Sequence, residues 1–350
     1  MTVLDHSTAP TVADPHTSAF AHRAPALVEL GERDRASLDR LVAAVPTDLA
    51  ADDEAFIAAA ARAGRLLPPA VHKALAELAD RSQPSGALVV RGLPVGDVPA
   101  TPDSPRQHSA KDRVSEFVLL AVARRLGEPV GYAPEHGGEL VQNLVPTAGA
   151  ATAQTSTSSA VTLEFHTEAA FHPHKPRFLL LLGLRADPFG EARTLLCSIE
   201  TVLPLLSDRS RAVLAEPRFR TGVDASYLAA TDDDASGLRR SSLGSPAPVL
   251  TGDTDHPTLT FDADLMVGID AEAEDALQEL RRAVREHHIG VALGRGDLLV
   301  VDNHAAVHGR SPFRARYDGS DRWLQRSFVV ADLAASAGER ARRVITTRFG

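Results

Sequence analysis

Side chains two apart on a β-strand point to the same face, so a His-x-Glu pair presents an imidazole and a carboxylate together. Thr162-Leu-Glu-Phe-His-Thr-Glu168 contains such a pair, His166 and Glu168. Two histidines and one carboxylate with open positions select non-haem Fe(II) and leave room for a chelating cosubstrate and oxygen. The third ligand must then be a histidine distant in sequence. The segment 298–309 (LLVVDNHAAVHG) offers two, His304 and His308. Residue types alone leave other readings open: two polar side chains on an exposed strand face, or a Mn(II) or Zn(II) lyase or isomerase. The other histidines carry less. His6, His16 and His22 lie in a polar N-terminal stretch. His287 and His288 end a predicted helix, where a cation suits the dipole.

A second cluster follows the distal histidines. Arg322 and Arg326 are four apart at the start of an apolar run, so an undistorted strand places both on one face. Each guanidinium can grip a carboxylate bidentately, one from a keto-acid cosubstrate and the other from the substrate. The plainer alternative is a pair of surface arginines beside Asp321.

The elements that must position these groups are legible from periodicity. Apolar residues at helical spacing predict helices over 33–45, 52–65, 69–81, 111–126 and 271–287, the last with Asp270 as N-cap. Short apolar runs bounded by Gly, Pro and Asp predict strands over 87–93, 161–167, 177–184, 192–198, 257–262, 297–302 and 323–331. Helices first and irregularly spaced strands later imply a jelly roll or sandwich flanked by helices. Residues 1–25 read as an arm without structure, and 26–350 as one domain, with a helical surround over 33–127 and the strand core over about 87–332. Segment 146–160 reads as a loop and the polar segment 229–248 as a surface excursion or lid.

Composition narrows the function further. The formal net charge of −9 speaks against nucleic acid or an anionic membrane surface as partner. A single cysteine, Cys197, excludes an internal disulfide and a cysteine-built metal site, so any metal takes nitrogen and oxygen ligands. The N-terminal stretch does not read as a secretory signal, and no apolar run is long enough to span a bilayer, so a cytoplasmic location is expected.

Several separated segments in order resemble the clavaminate synthase-like branch of the Fe(II)/2-oxoglutarate oxygenases, which includes hydroxylases of free amino acids. They are VQNLVP (141–146), FHTEAAFHPHKPRFLLLLGLR (165–185), LTFDADLM (259–266), DNHAAVHGRSPF (302–313) and DRWLQRSFVVAD (321–332). FDADLM, AVHGRS and RWLQRSFVVAD most resemble the free-lysine hydroxylases.

The resemblance implies a double-stranded β-helix, or jelly roll, with Fe(II), 2-oxoglutarate and O2 as its reagents. Position by position, it implies His166, Glu168 and His308 as iron ligands, which favours His308 over His304. Arg322 and Thr194 would contact 2-oxoglutarate. Arg326 would hold the substrate's carboxylate. Gln142 and a serine of the 156–158 loop, centred on Thr157, would contact substrate. Asp262 would read the distal end of the side chain, joined by Asp264 if the strand continues. Glu168 occupies the carboxylate position that the halogenating relatives lack, which favours hydroxylation.

The expected reaction is hydroxylation at the β or γ carbon of a free L-amino acid. A buried carboxylate wants a charge partner, so Asp262 favours lysine or arginine. Asparagine or glutamine is the alternative, since a carboxylate also accepts from an amide NH2. Desaturation or ring closure within the same family, and a non-catalytic sensor, are the other readings.

Overall fold

The computed structural model describes residues 24–51, 53–107, 111–224, 227, 243–253 and 255–349. Residues 1–23 of the arm expected over 1–25, and most of the segment expected as a lid, lie outside the described residues. Seven α-helices occur among the described residues: α1 (Arg35–Ala43), α2 (Glu54–Ala63), α3 (Pro69–Ala79), α4 (Val114–Leu126), α5 (Ile199–Val202), α6 (Asp208–Leu214) and α7 (Ala271–His287). The strands are β1 (Ala26–Glu29), β2 (Ala87–Arg91), β3 (Glu128–Tyr132), β4 (Gln142–Leu144), β5 (Leu163–His166), β6 (Phe178–Arg185), β7 (Thr194–Ser198), β8 (Phe219–Thr221), β9 (Leu250–Gly252), β10 (Pro257–Leu259), β11 (Met266–Gly268), β12 (Ile289–Val291), β13 (Leu298–Asp302), β14 (Ala306–Arg310), β15 (Trp323–Val330), β16 (Arg340–Ala341) and β17 (Val344–Ile345).

A large mixed sheet runs β1-β2-β13-β6-β15-β3-β17-β16, with β4 also paired to β15. A smaller antiparallel sheet runs β12-β7-β14-β5. Strand β6 shows why the large sheet sits between two layers. Its residues Phe178, Leu180, Leu182 and Leu184 pack among α2–α4, while Leu179 and Leu181 point to the opposite side. A strand buried on both faces reads as an unbroken apolar run, as FLLLLGL does. The inward layer joins Leu179, Leu299, Val301, Leu324 and Phe328 to Leu196 and Ala306 of the smaller sheet. A third cluster seats α5–α7 against that sheet's outer side.

Helix α4 is buried nearly all round, from Val114 to Ala123. It begins three residues later than its periodicity predicts, because Arg113 takes a left-handed conformation (φ 60°) and Asp112 caps Val114 N. The strand expected over 257–262 stops at Leu259. Residues 262–265 turn instead, so the alternation that would align Asp264 with Asp262 does not hold.

The pairing that matters most for function is β5 with β14. His308 lies opposite His166, but Arg310 lies opposite Leu163, so β5 holds one extra residue there. Gly309 sits at this bulge, where an added Cβ would meet the Leu163 carbonyl oxygen at 2.6 Å. Backbone cannot give way as a flexible side chain can. Gly309→Ala is therefore expected to destabilise the fold by about 1–3 kcal/mol, read as a lowered denaturation midpoint. An unchanged midpoint would mean the two strands are not held this closely.

Candidate active site

The bulged pairing brings the His166 and His308 rings to 4.3 Å between centroids. Glu168 lies two residues past His166, just beyond the end of β5. Its backbone N–H donates to Asn303 Oδ1 at 2.7 Å, and Asn303 Nδ2 donates to the Glu168 and Pro176 carbonyls. Buried Asn303, from the β13–β14 turn, thus fixes where the carboxylate emerges. Ligand atoms of His166, Glu168 and His308 lie within 4.8 Å of one another.

Three further observations fit these residues to a metal ion. His166 Nδ1 is 2.8 Å from the Glu164 carbonyl, which fixes Nδ1 as the protonated nitrogen and leaves Nε2 free to ligate. Glu168 Oε2, buried and without a hydrogen-bond donor, lies 3.3 Å from His308 Nε2. Burial, with His166 alongside, pushes His308 down to about 4, so it is a neutral imidazole near neutral pH. Burial would raise the Glu168 carboxyl, but Arg326 and both imidazoles outweigh it and hold the group at about 2. His304 stands apart, in the turn where its N–H is held by Asp302.

A cavity of about 550 Å³ opens onto this cluster. Arg322 and Thr194 line it on one side. Arg322 is buried and has no hydrogen bond or ion pair among the described residues. Burial, then the neighbouring Arg310, lowers it to about 9. An unpaired buried guanidinium facing a cavity calls for an anion, and a carboxylate matches its fork. Arg310 itself is occupied with the 158–161 loop, donating to the Ser158 carbonyl, Ser158 Oγ and the Val161 carbonyl.

Arg326 lies deeper and is already engaged. Its Nε and Nη2 donate to Gln142 Oε1 at 2.9 and 2.6 Å, and it pairs with Glu135 and, at 3.5 Å, with Glu168. Gln142, opposite Arg326 across the β4–β15 ladder, faces the guanidinium and is not part of the cavity wall. In the 156–158 loop, Ser156 and Thr157 line the cavity, whereas Ser158 is buried beneath and bonded to Arg310.

Asp262 bridges across to His166 and lines the cavity, but its Oδ1 also caps the turn by accepting from Asp264 N and Leu265 N. The turn still delivers Asp264 to the cavity rim, by a route other than strand alternation. Burial raises the Asp264 carboxyl, and Glu164 and Asp224 on the same wall raise it further. Glu135 and Asp224 were not foreseen. Neither lies in a patterned element, and Glu135 stands among turn residues between β3 and β4. A carboxylate just after an apolar strand was the signal available for Glu135.

Comparisons with known proteins identify the family. Residues 60–328 match the family model "Taurine catabolism dioxygenase TauD, TfdA family". The chain therefore belongs to the TauD, TfdA family and, within it, to the clavaminate synthase-like iron- and 2-oxoglutarate-dependent amino-acid hydroxylases. It is 40% identical over 292 residues to an L-asparagine oxygenase of Streptomyces coelicolor, covering 83% of this chain and 84% of that one. It is 36% identical over 340 residues to an L-lysine 3-hydroxylase of Catenulispora acidiphila, covering 96% and 91%. A solved asparagine oxygenase holding Fe(II), 3-hydroxyasparagine and succinate superposes with a TM-score of 0.84 at 37% identity, covering 92% of this chain and 99% of that one.

Replacing Arg322 with Met should raise the KM for 2-oxoglutarate about a hundredfold, with metal content per chain unchanged. A KM within about twofold of the parent would mean that the anion sits elsewhere in the cavity.

Proposed function

We propose that this protein hydroxylates a free L-amino acid with a cationic side chain, lysine or arginine, at an unactivated β or γ carbon. The two sheets are then the walls of a double-stranded β-helix, in one domain spanning 26–350. No helix among the described residues is long and apolar enough to cross a membrane, and the cytoplasm is the proposed location.

In this reading His166, Glu168 and His308 hold Fe(II), and Arg322 with Thr194 holds the far carboxylate of 2-oxoglutarate. Bound there, the iron supplies oxidising power, drawn from O2 and the decarboxylation of 2-oxoglutarate to succinate. The chain's own contribution is positioning. Arg326, stiffened by Gln142 and Glu135, takes the substrate's carboxylate, and its link to Glu168 ties that end of the substrate to the metal. The loop at Ser156 and Thr157 closes one side. Asp262 and Asp264 face the distal end of the side chain.

The charge on that distal wall carries the choice of substrate. Asp264 has no hydrogen bond or ion pair from its carboxylate among the described residues, and Glu164 and Asp224 crowd it with like charge that the more weakly acting Arg281 does not offset. An ammonium or guanidinium relieves that repulsion, whereas a neutral amide relieves it less. Asparagine remains the second reading, favoured by the likeness to an asparagine oxygenase and by Asp262, whose second oxygen can accept from an amide.

The test is to incubate the purified protein with Fe(II), ascorbate, 2-oxoglutarate and each free L-amino acid, reading succinate and substrate mass together. Succinate coupled to one added oxygen on lysine or arginine is expected. Asp264→Asn, which leaves the turn capped by Asp262, should then raise that amino acid's KM about tenfold. The same KM should rise on acidification, because a raised carboxyl is protonated earlier as the pH falls and a neutral acid no longer attracts a cation. Oxygen added to asparagine alone, or an unmoved KM in Asp264→Asn, would overturn the cationic assignment. No succinate with any amino acid would return the sensor reading.

A further inference from the structure

The end of the chain folds back on the active site. Strand β17 runs parallel to β3, pairing Val344 with Gly131 and Ile345 with Tyr132, and the Ala133 N–H donates to the Ile345 carbonyl at 2.8 Å. The four residues that follow carry the Phe349 ring edge-on to Phe171 (5.1 Å between centroids) and His172 (5.3 Å), with Tyr227 at 6.3 Å. Phe171 and Tyr227 meet edge-on at 4.9 Å, and both line the cavity. Phe349 does not.

The inner member of this aromatic cluster touches the polar machinery. Tyr227 Oη donates to Glu135 Oε2 at 3.2 Å, and Glu135 pairs with Arg326. One unbroken series of contacts therefore joins the chain's last aromatic ring to the guanidinium proposed for the substrate's carboxylate. Among the described residues, the proposed 2-oxoglutarate half of the cavity, Arg322 and Thr194, has no ring contact with this cluster. Phe349 is only partly buried and packs at the margin of the inter-sheet cluster without being one of its buried members, so its loss removes one wall of the aromatic cluster and leaves the buried cores in place.

We propose that Phe349 is a positioning residue for the amino-acid half of the site: it holds Phe171 and Tyr227 inward, and through Tyr227 it fixes Glu135 and hence Arg326. The C-terminal strap thereby contributes to amino-acid affinity and leaves 2-oxoglutarate affinity alone. This inference rests on the reading of Arg326 given under the proposed function.

Anaerobic titration calorimetry on the Fe(II)-loaded protein tests it without turnover. L-lysine, L-arginine and L-asparagine are titrated into the wild type with 2-oxoglutarate present. The wild-type result carries the reading of the function. The ratio of variant to wild type, on whichever of the three amino acids binds, carries this inference. Phe349→Ala should raise that Kd about tenfold, and Phe349→Leu should recover most of the loss. The Kd for 2-oxoglutarate should stay within about twofold. In a Tyr227→Phe background, which lacks the hydroxyl that reaches Glu135, Phe349→Ala should cost markedly less than in the wild type. An unchanged amino-acid Kd in Phe349→Ala would overturn the proposal. So would equal losses for amino acid and 2-oxoglutarate together with a lowered melting temperature, which would make Phe349 a structural residue only.

Discussion

The antiparallel contact of His308 with His166 is the constraint on which the site depends. Two imidazoles can share a metal only if β14 and β5 meet in this register, because a one-residue slip would turn one ring to the opposite face. The extra residue in β5 and the bare Cα of Gly309 belong to the same requirement. They let the Leu163 carbonyl approach β14 where any side chain would collide with it. Beyond the strand end, Asn303 draws the Glu168 backbone back toward the β13–β14 turn, so the carboxylate arrives beside the rings.

Around that pairing the charges fall into two halves. Arg322 stands unpaired among the described residues and faces the cavity, which suits a ligand that brings its own negative charge. Arg326 is held by Gln142, Glu135 and Glu168, so a carboxylate bound there, as proposed, would need little reorganisation of the guanidinium. The same Arg326 also holds Glu168 ionised against the burial that would neutralise it. One guanidinium thus links Glu168 of the metal cluster to Glu135 and to the proposed substrate end.

Much of this was legible in the sequence, for identifiable reasons. The His166–Glu168 pair could be read because strand alternation needs no tertiary information. The unbroken apolar run of β6 marked a strand buried on both faces. Strand β14 was harder: its five residues were read only as a motif holding His308, since AVHGR is too short and mixed for a periodic signal. The turn at 262–265 escaped because it depends on the Asp262 side chain capping two backbone N–H groups, a competition with the strand that periodicity does not register. Glu135 and the C-terminal strap escaped for a related reason. Glu135's partners, Tyr227 and Arg326, lie about ninety and two hundred residues away, Phe349 meets rings at least as distant as Tyr227, and single-sequence patterning carries no contact at that range.

In the proposed function, three side chains brought together by the β5–β14 pairing bind the metal, and the bound metal prepares the site for 2-oxoglutarate. Anaerobic equilibrium dialysis of Fe(II) against the wild type and Glu168→Ala, with and without 2-oxoglutarate, tests it most directly. A single Fe(II) per wild-type chain, loss of that ion in the variant, and tight 2-oxoglutarate binding only where the ion is present are expected. Full metal retention by Glu168→Ala, or 2-oxoglutarate binding that ignores the metal, would contradict this reading.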